Sequence, residues 1–300
     1  MKKILLALCV ALCLLTCSAC RHSSEAIPTP TPGLTTPTPE PTPTPEPTPT
    51  PLPTPTPPAP VPEVPNTKLP ILMYHDVLKD GETCGNWAVT ESRFREDLQW
   101  LADNGYTAIS AGELAAGNPL PERAVLITFD DGYRSNYDLA FPILVEYRTK
   151  AVISIIGHHL DDGDEWFLTW DQCREMQDSG FIEFGSHTYT QHPADTCIRR
   201  KDGETQLQYG ARVFADLQKS IDRMETELGG PVIFLAYPNG RYDSWSDDFI
   251  KDRFKVTVST DFGTADISGG LYKLPRFNIN MDGPPSKFLP ALDGAEAAEG

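Results

Sequence analysis

From residue 68 onward, short apolar runs alternate with amphipathic stretches. Ile71 to Tyr74, Ala124 to Phe129, Ala151 to Ile156, Phe181 to Phe184, Val232 to Ala236 and Val256 to Ser259 have the length and β-branched content of strands. Runs without polar alternation predict strands buried on both faces, as in a parallel sheet. Helical patterns lie between them. Thr90 can cap a helix in which Phe94, Leu98 and Leu101 share a face, stopping near Gly105. A longer one carries Phe214, Leu217, Ile221, Met224 and Leu228 at alternating spacings of 3 and 4 and ends at Gly229-Gly230. Strand, helix, strand repetition predicts a parallel α/β architecture with right-handed crossovers, either a barrel or an open sheet. In both, ligands gather at the carboxyl ends of the strands.

The N-terminal region breaks this pattern. Lys2 and Lys3 precede an apolar run from Ile4 to Leu15, too short to span a bilayer but of the length of a secretory signal. Thr16-Cys17-Ser18-Ala19-Cys20 follows, and small residues before a cysteine resemble a bacterial lipobox, with Cys20 favoured over Cys17 as the lipidated residue. Residues 1–20 are therefore read as a lipoprotein-type signal peptide, with an ordinary cleaved signal as the alternative. From Pro28 to Pro65, 18 of 38 residues are proline. Alternate prolines fix φ and remove donors, so residues 21–67 read as a disordered, polyproline-like linker reaching on the order of 120 Å. The expectation is an exported protein, held at the extracellular face of a bacterial membrane by its N-terminal lipid alone, or secreted. Residues 68–285 form the foldable unit and 286–300 a tail.

Charge and cysteine narrow the partners. The chain carries 25 Lys plus Arg against 42 Asp plus Glu, a net charge of −17. Nothing offsets repulsion from a phosphate backbone, which argues against nucleic acid as a partner. Beyond the signal only Cys84, Cys173 and Cys197 remain, too few for a disulfide framework and without a CxxC spacing. Cys173 sits in a helical pattern and reads as a buried apolar residue. A Cys84–Cys197 bridge stays open, and a monomer is expected.

Candidate chemistry begins at the end of the Ala124 run, where Asp130, Asp131 and Gly132 follow. Adjacent carboxylates there repel and lose hydration unless a cation compensates. In an extended chain they point to opposite sides and can serve two roles. After Phe184 come His187 and then His192-Pro193; the proline disfavours a helical His192, so the segment reads as a loop in which both rings can converge. One carboxylate and two imidazoles leave open positions on a divalent metal, the arrangement of a hydrolytic site. Taken singly, each histidine fits a surface or core residue better than a ligand, and Asp-Asp alone is often a turn.

Together, Thr128-Phe129-Asp130-Asp131-Gly132, Ser186-His187-Thr188 and His192 resemble the polysaccharide deacetylases of carbohydrate esterase family four, the NodB-homology domain. The resemblance spans about residues 69 to 280, with support from Leu69-Pro70-Ile71-Leu72-Met73-Tyr74-His75, Leu168-Thr169-Trp170-Asp171 and Ala236-Tyr237-Pro238-Asn239-Gly240. It implies a distorted parallel (β/α) barrel and a metal-dependent hydrolase that removes acetyl groups. The histidine spacing, one residue longer than usual, is similar to that of the poly-N-acetylglucosamine deacetylase branch. By this resemblance Asp131, His187 and His192 bind the divalent metal, Zn first, with Co, Ni or Fe as alternatives. Asp130 becomes the general base. Asn239, after Pro238, holds the position that supplies an oxyanion N–H. Two departures stand out. The family's usual arginine before the proline motif is replaced by Ala236 and Tyr237; Arg276 is a candidate substitute, with a surface salt bridge as the alternative. The usual C-terminal Leu-x-His acid is missing because His192 is the last histidine, so His75 is expected to protonate the leaving amine, against a purely structural role. Trp166 and Trp170 are candidates to stack on sugar, although Trp170 fits a helix-start core aromatic equally well. His158-His159 read as surface loop. The expected substrate is the N-acetyl group of a GlcNAc-containing surface glycan, peptidoglycan or poly-N-acetylglucosamine. An O-acetyl esterase acting on xylan and a non-catalytic glycan-binding homologue are the alternatives.

Overall fold

A computed structural model describes residues 67–193 and 197–289. The proposed signal peptide, Cys20, nearly all of the linker and most of the tail lie outside the described residues. Seven parallel strands close a barrel: β1 (Ile71–Tyr74), β2 (Ala124–Phe129), β3 (Ala151–Ile155), β4 (Ile182–Ser186), β5 (Phe234–Ala236), β6 (Val256–Phe262) and β7 (Leu274–Asn278). Each pairs with its neighbour in sequence, and β1 meets both β7 and β2, which closes the ring. A short strand, Thr107–Ile109, pairs with the first half of β2 where β3 does not reach.

Burial on both faces explains the unbroken apolar runs. Ile71, Leu126, Val152, Phe234, Val256 and Val258 belong to one buried cluster, while Leu72, Tyr74, Ile127, Phe129, Ile153 and Ile155 pack with helix residues in a second. Alternate side chains of each strand thus fill the barrel interior and the layer beneath the helices.

Helix α1 (Glu91–Asp103) begins where Thr90 Oγ1 accepts the Arg93 N–H, and buries Phe94, Leu98 and Leu101. Helices α2 (Phe141–Glu146), α3 (Gly157–Asp162) and α4 (Trp170–Asp178) follow β2 and β3, and Cys173 is buried on α4. The long α5 (Gln206–Leu228) ends at Gly229 with φ 66°, as its sequence predicts. Among the described residues no helix is long and apolar enough to cross a membrane.

Several expectations are corrected here. Strand β7, which closes the barrel, is absent from the apolar runs. Cys84 carries a free thiol, so the Cys84–Cys197 bridge is not formed. His158 and His159 are not surface loop; they occupy the first turn of α3, where His158 Nδ1 lies 2.7 Å from Tyr189 O and the His159 ring stacks on Phe167.

Candidate active site

The residues after β1, β2, β4 and β5, together with Arg276 on β7, build one cluster at the carboxyl ends of the strands. Leu126 faces the barrel interior, and Asp130 continues that side of β2 beyond the end of the strand. There Arg276 meets it with a fork: Nη1 to Oδ1 at 2.9 Å and Nη2 to Oδ2 at 2.7 Å. The same guanidinium donates to Thr128 Oγ1 on β2 and Ser259 O on β6, so its position is fixed from two strands besides its own. Arg276 is therefore a buried partner of Asp130 and not a surface salt bridge. Burial alone pushes the Asp130 carboxyl up. The Arg276 charge and hydrogen bonds, with His187 beside them, overcome this and hold it far below the usual carboxylate range.

Asp131 does not continue the extended chain. Its φ of 72° and that of Gly132, 77°, turn the backbone sharply, so the two carboxylates share one site instead of pointing to opposite faces. A Cβ on Gly132 would stand 2.8 Å from Ile155 Cγ2, which explains the glycine. Thr188 (φ 71°) and Asn239 (φ 54°) are likewise left-handed, so three of the five non-glycine residues with positive φ among the described residues surround this cluster. Strain of this kind, about 1–3 kcal/mol per residue, persists where the surroundings over-determine it. At Thr188 they do: its N–H donates to Ser186 Oγ and its carbonyl accepts the Gly157 N–H. Asp216, a carboxylate on the buried face of α5, accepts the N–H groups of Tyr189 and Thr190 at 2.8 Å each and clamps the loop between the two histidines.

His187 and His192 converge on Asp131, with Nε2 atoms 3.4 and 3.2 Å from Asp131 Oδ1. The Nδ1 of His187 lies 2.9 Å from the Ala236 carbonyl, which can only accept, so Nδ1 carries the proton and Nε2 presents its lone pair. Burial pulls the His187 imidazole below its usual pKa, consistent with a neutral ring; the Asp131 carboxylate holds that of His192 above it. Asp131 Oδ1 is buried without a hydrogen-bond donor, and one ligand atom from each of the three residues lies within 4.8 Å of the others. Donors at ~2.1 Å from a tetrahedral ion stand about 3.4 Å apart, close to the spacings seen here. One carboxylate and two imidazoles thus fit a divalent cation.

The polysaccharide deacetylase family model matches residues 117–253. YxkH of Bacillus subtilis (strain 168), which bears the name of a polysaccharide deacetylase, is 34% identical over 227 residues, covering 74% of this chain and 75% of that protein. The chain belongs to the polysaccharide deacetylase family. Similar too is the poly-β-1,6-N-acetyl-D-glucosamine N-deacetylase of Escherichia coli (strain K12), 35% identical over 145 residues, which span 43% of this chain but 22% of that protein. Among solved structures, the Streptococcus pyogenes deacetylase PplD in complex with acetate superposes with a TM-score of 0.61 at 32% identity, covering 72% of this chain and 93% of that one.

Within this deacetylase fold, His75 follows β1 and lies within electrostatic reach of Asp130, Asp131, Arg276 and His192. Burial lowers its pKa, and its Nδ1 is buried without a partner. Asn239 is exposed on the Pro238–Gly240 turn after β5, and its side chain donates to His192 O at 2.8 Å. Trp170 stands apart from the cluster's hydrogen bonds: its indole N–H donates to Asp161 at 2.9 Å, and Arg223 lies over its ring. Sequence reasoning passed over three residues. Trp87 is 53% exposed with its ring 4.8 Å from that of His75. Burial, with the Asp131 charge nearby, pushes the Tyr133 phenol up. Asp216 was visible only as an acid on the apolar stripe of a long helix.

Proposed function

We propose that this deacetylase hydrolyses the N-acetyl amide of GlcNAc units in a cell-surface glycan such as poly-N-acetylglucosamine or peptidoglycan. The observation that carries the reading is a buried, Arg276-held Asp130 beside an Asp131 oxygen that has no donor and faces two imidazole Nε2 atoms. Asp131, His187 and His192 hold a divalent ion, Zn first. When bound, such an ion supplies Lewis acidity toward a carbonyl oxygen and a water. Asp130, ionised throughout the working range, accepts the proton of the attacking water. His75, held neutral by its lowered pKa, delivers a proton to the leaving nitrogen after taking one up, the proton that Asp130 removed from the attacking water. The backbone N–H of Asn239, presented by its left-handed turn, supports the oxyanion. Similarity to poly-β-1,6-N-acetyl-D-glucosamine N-deacetylases over the matched residues supports the amide over an ester. The signal-like N-terminus and proline-rich stretch support an exported enzyme lipidated at Cys20 and held outside the membrane.

The test is acetate release from N-acetylglucosamine oligomers by protein stripped with chelator and reloaded with Zn, Co or Ni. Release should return with metal, fall by 10² or more in Asp130→Asn, and fall by about 10²–10⁴ in His75→Ala at unchanged metal content. Folded, metal-loaded protein that frees acetate from acetylated xylan but not from these oligomers would replace the amidase reading with the esterase one.

A further inference from the structure

A cavity of about 780 Å³, lined among others by Asp76, Tyr133, Asp138, Trp166 and Phe167, opens beside the candidate site. That volume falls within the roughly 300–1,000 Å³ of small-ligand pockets. Its inner wall is shared with the site, because Asp76 follows His75 in the chain and Tyr133 stands two residues after Asp131, within reach of its charge. The wall is also rigid. Tyr133 stacks on Phe167 with centroids 5.3 Å apart and Phe167 on His159 at 3.8 Å, while the Arg134 N–H donates to Trp166 O at 2.9 Å. At the rim Trp166 is 72% exposed. A large indole held out to water on a fixed backbone is a ready stacking face for a flat, partly apolar ligand such as a pyranose ring.

We propose that this groove is a subsite for the sugar ring neighbouring the one being deacetylated, with Trp166 as its platform. The proposal rests on the deacetylase reading and narrows its substrate. The groove presents the carboxylates of Asp76, Glu82, Asp138 and Glu165 against the two cations Lys79 and Arg134. This balance repels a carboxylate-bearing unit, such as a muramyl sugar of peptidoglycan with its acidic stem peptide, and suits a neutral or cationic amino sugar. The occupant is therefore a GlcNAc or glucosamine unit of the same homopolymer.

The test compares kcat/KM on N-acetylglucosamine dimer, tetramer and hexamer for wild type, Trp166→Ala and Trp166→Phe, all metal-loaded. Wild type should gain at least tenfold from dimer to hexamer, mainly in KM. The hexamer-to-dimer ratio should collapse toward one in the alanine variant and survive in the phenylalanine variant. A ratio untouched by Trp166→Ala overturns the subsite, as does faster turnover of muramyl oligomers than of equally long glucosamine-containing ones. Isothermal titration of hexamer into Asp130→Asn, with and without Trp166→Ala, separates the two readings. Trp166-dependent binding alongside a wild type that frees no acetate would leave the groove standing and remove the deacetylase activity. Acetate release without length dependence would do the reverse.

Discussion

Asp130 and Arg276 are 146 positions apart in the chain, yet they share two hydrogen bonds inside the barrel. A buried pair of this kind is an expensive arrangement to disturb: leaving Asp130 charged and alone costs about 3–5 kcal/mol. Arg276→Lys keeps the charge but loses the fork, so the charged form of Asp130 is held less firmly and its carboxyl, pushed upward by burial, titrates at higher pH. Asp130 stays ionised throughout the working range, so the loss reads in rate: turnover at neutral pH should fall roughly tenfold to a hundredfold at unchanged metal content. Wild-type turnover in a folded, metal-loaded Arg276→Lys would show that the fork does not position Asp130. Asp130, Asp131 and His187 were legible because each sits in a local run, Asp-Asp-Gly or Ser-His-Thr, that carries its own resemblance, and His192 through its spacing from His187. Arg276 was legible only as a candidate, since nothing within five residues of it reveals which acid it meets. Trp87, Tyr133 and Asp216 carry no pattern at all; each becomes meaningful only when folding brings His75, Asp131 or the 187–192 loop beside it.

Helix α1 shows the same contrast within one element. Its apolar face was evident from Phe94, Leu98 and Leu101, and Thr90 caps it as predicted. What the periodicity did not single out is Asp97 on that buried face, accepting from the Tyr74 hydroxyl at 3.1 Å and the Arg93 Nε at 2.8 Å. Burial outweighs these contacts and raises its pKa to about 6. In that case the folded state binds the proton more tightly than the unfolded chain. Stability then falls as pH rises from about 4 to 6, and the cost is fully present above that window. Two pK units correspond to about 3 kcal/mol, an upper figure for so coupled a group. Asp97→Asn removes the titration, so its stability relative to wild type should improve by about 1–3 kcal/mol between pH 4 and pH 7.5 in urea unfolding. A constant difference would assign the pH dependence elsewhere. Strand β7 escaped prediction for a related reason. Leu274-Pro275-Arg276-Phe277-Asn278 contains a proline, which reads as an edge or a break, and a charged residue that no apolar-run criterion admits to a barrel. Its strand character comes from parallel pairing with β6 and β1, and its arginine is tolerated because Asp130 waits inside.

At the scale of the whole molecule, the strands that were legible implied either a barrel or an open sheet, and the family resemblance favoured the barrel. Closure itself depends on β1 pairing with both β2 and β7, long-range contacts that hydrophobic periodicity does not encode. The ring has a consequence for stability. Asp131 follows β2, His187 follows β4, and His192 lies five residues further on a loop tied to the turn after β5 through Asn239. A cation bound by these three side chains links distant strand ends and binds the unfolded chain far less, so its affinity adds to the folding free energy. At a free concentration 100 times Kd the gain is about 2.7 kcal/mol. For a domain of this size each kcal/mol raises Tm by ~2–4 °C. Protein stripped of metal should therefore melt about 5–10 °C higher on adding Zn, chelator should reverse the shift, and Asp131→Asn should abolish it. A folded wild type whose Tm ignores Zn, Co and Ni alike would remove the cation from the site, whatever its activity, because melting reports occupancy and not turnover.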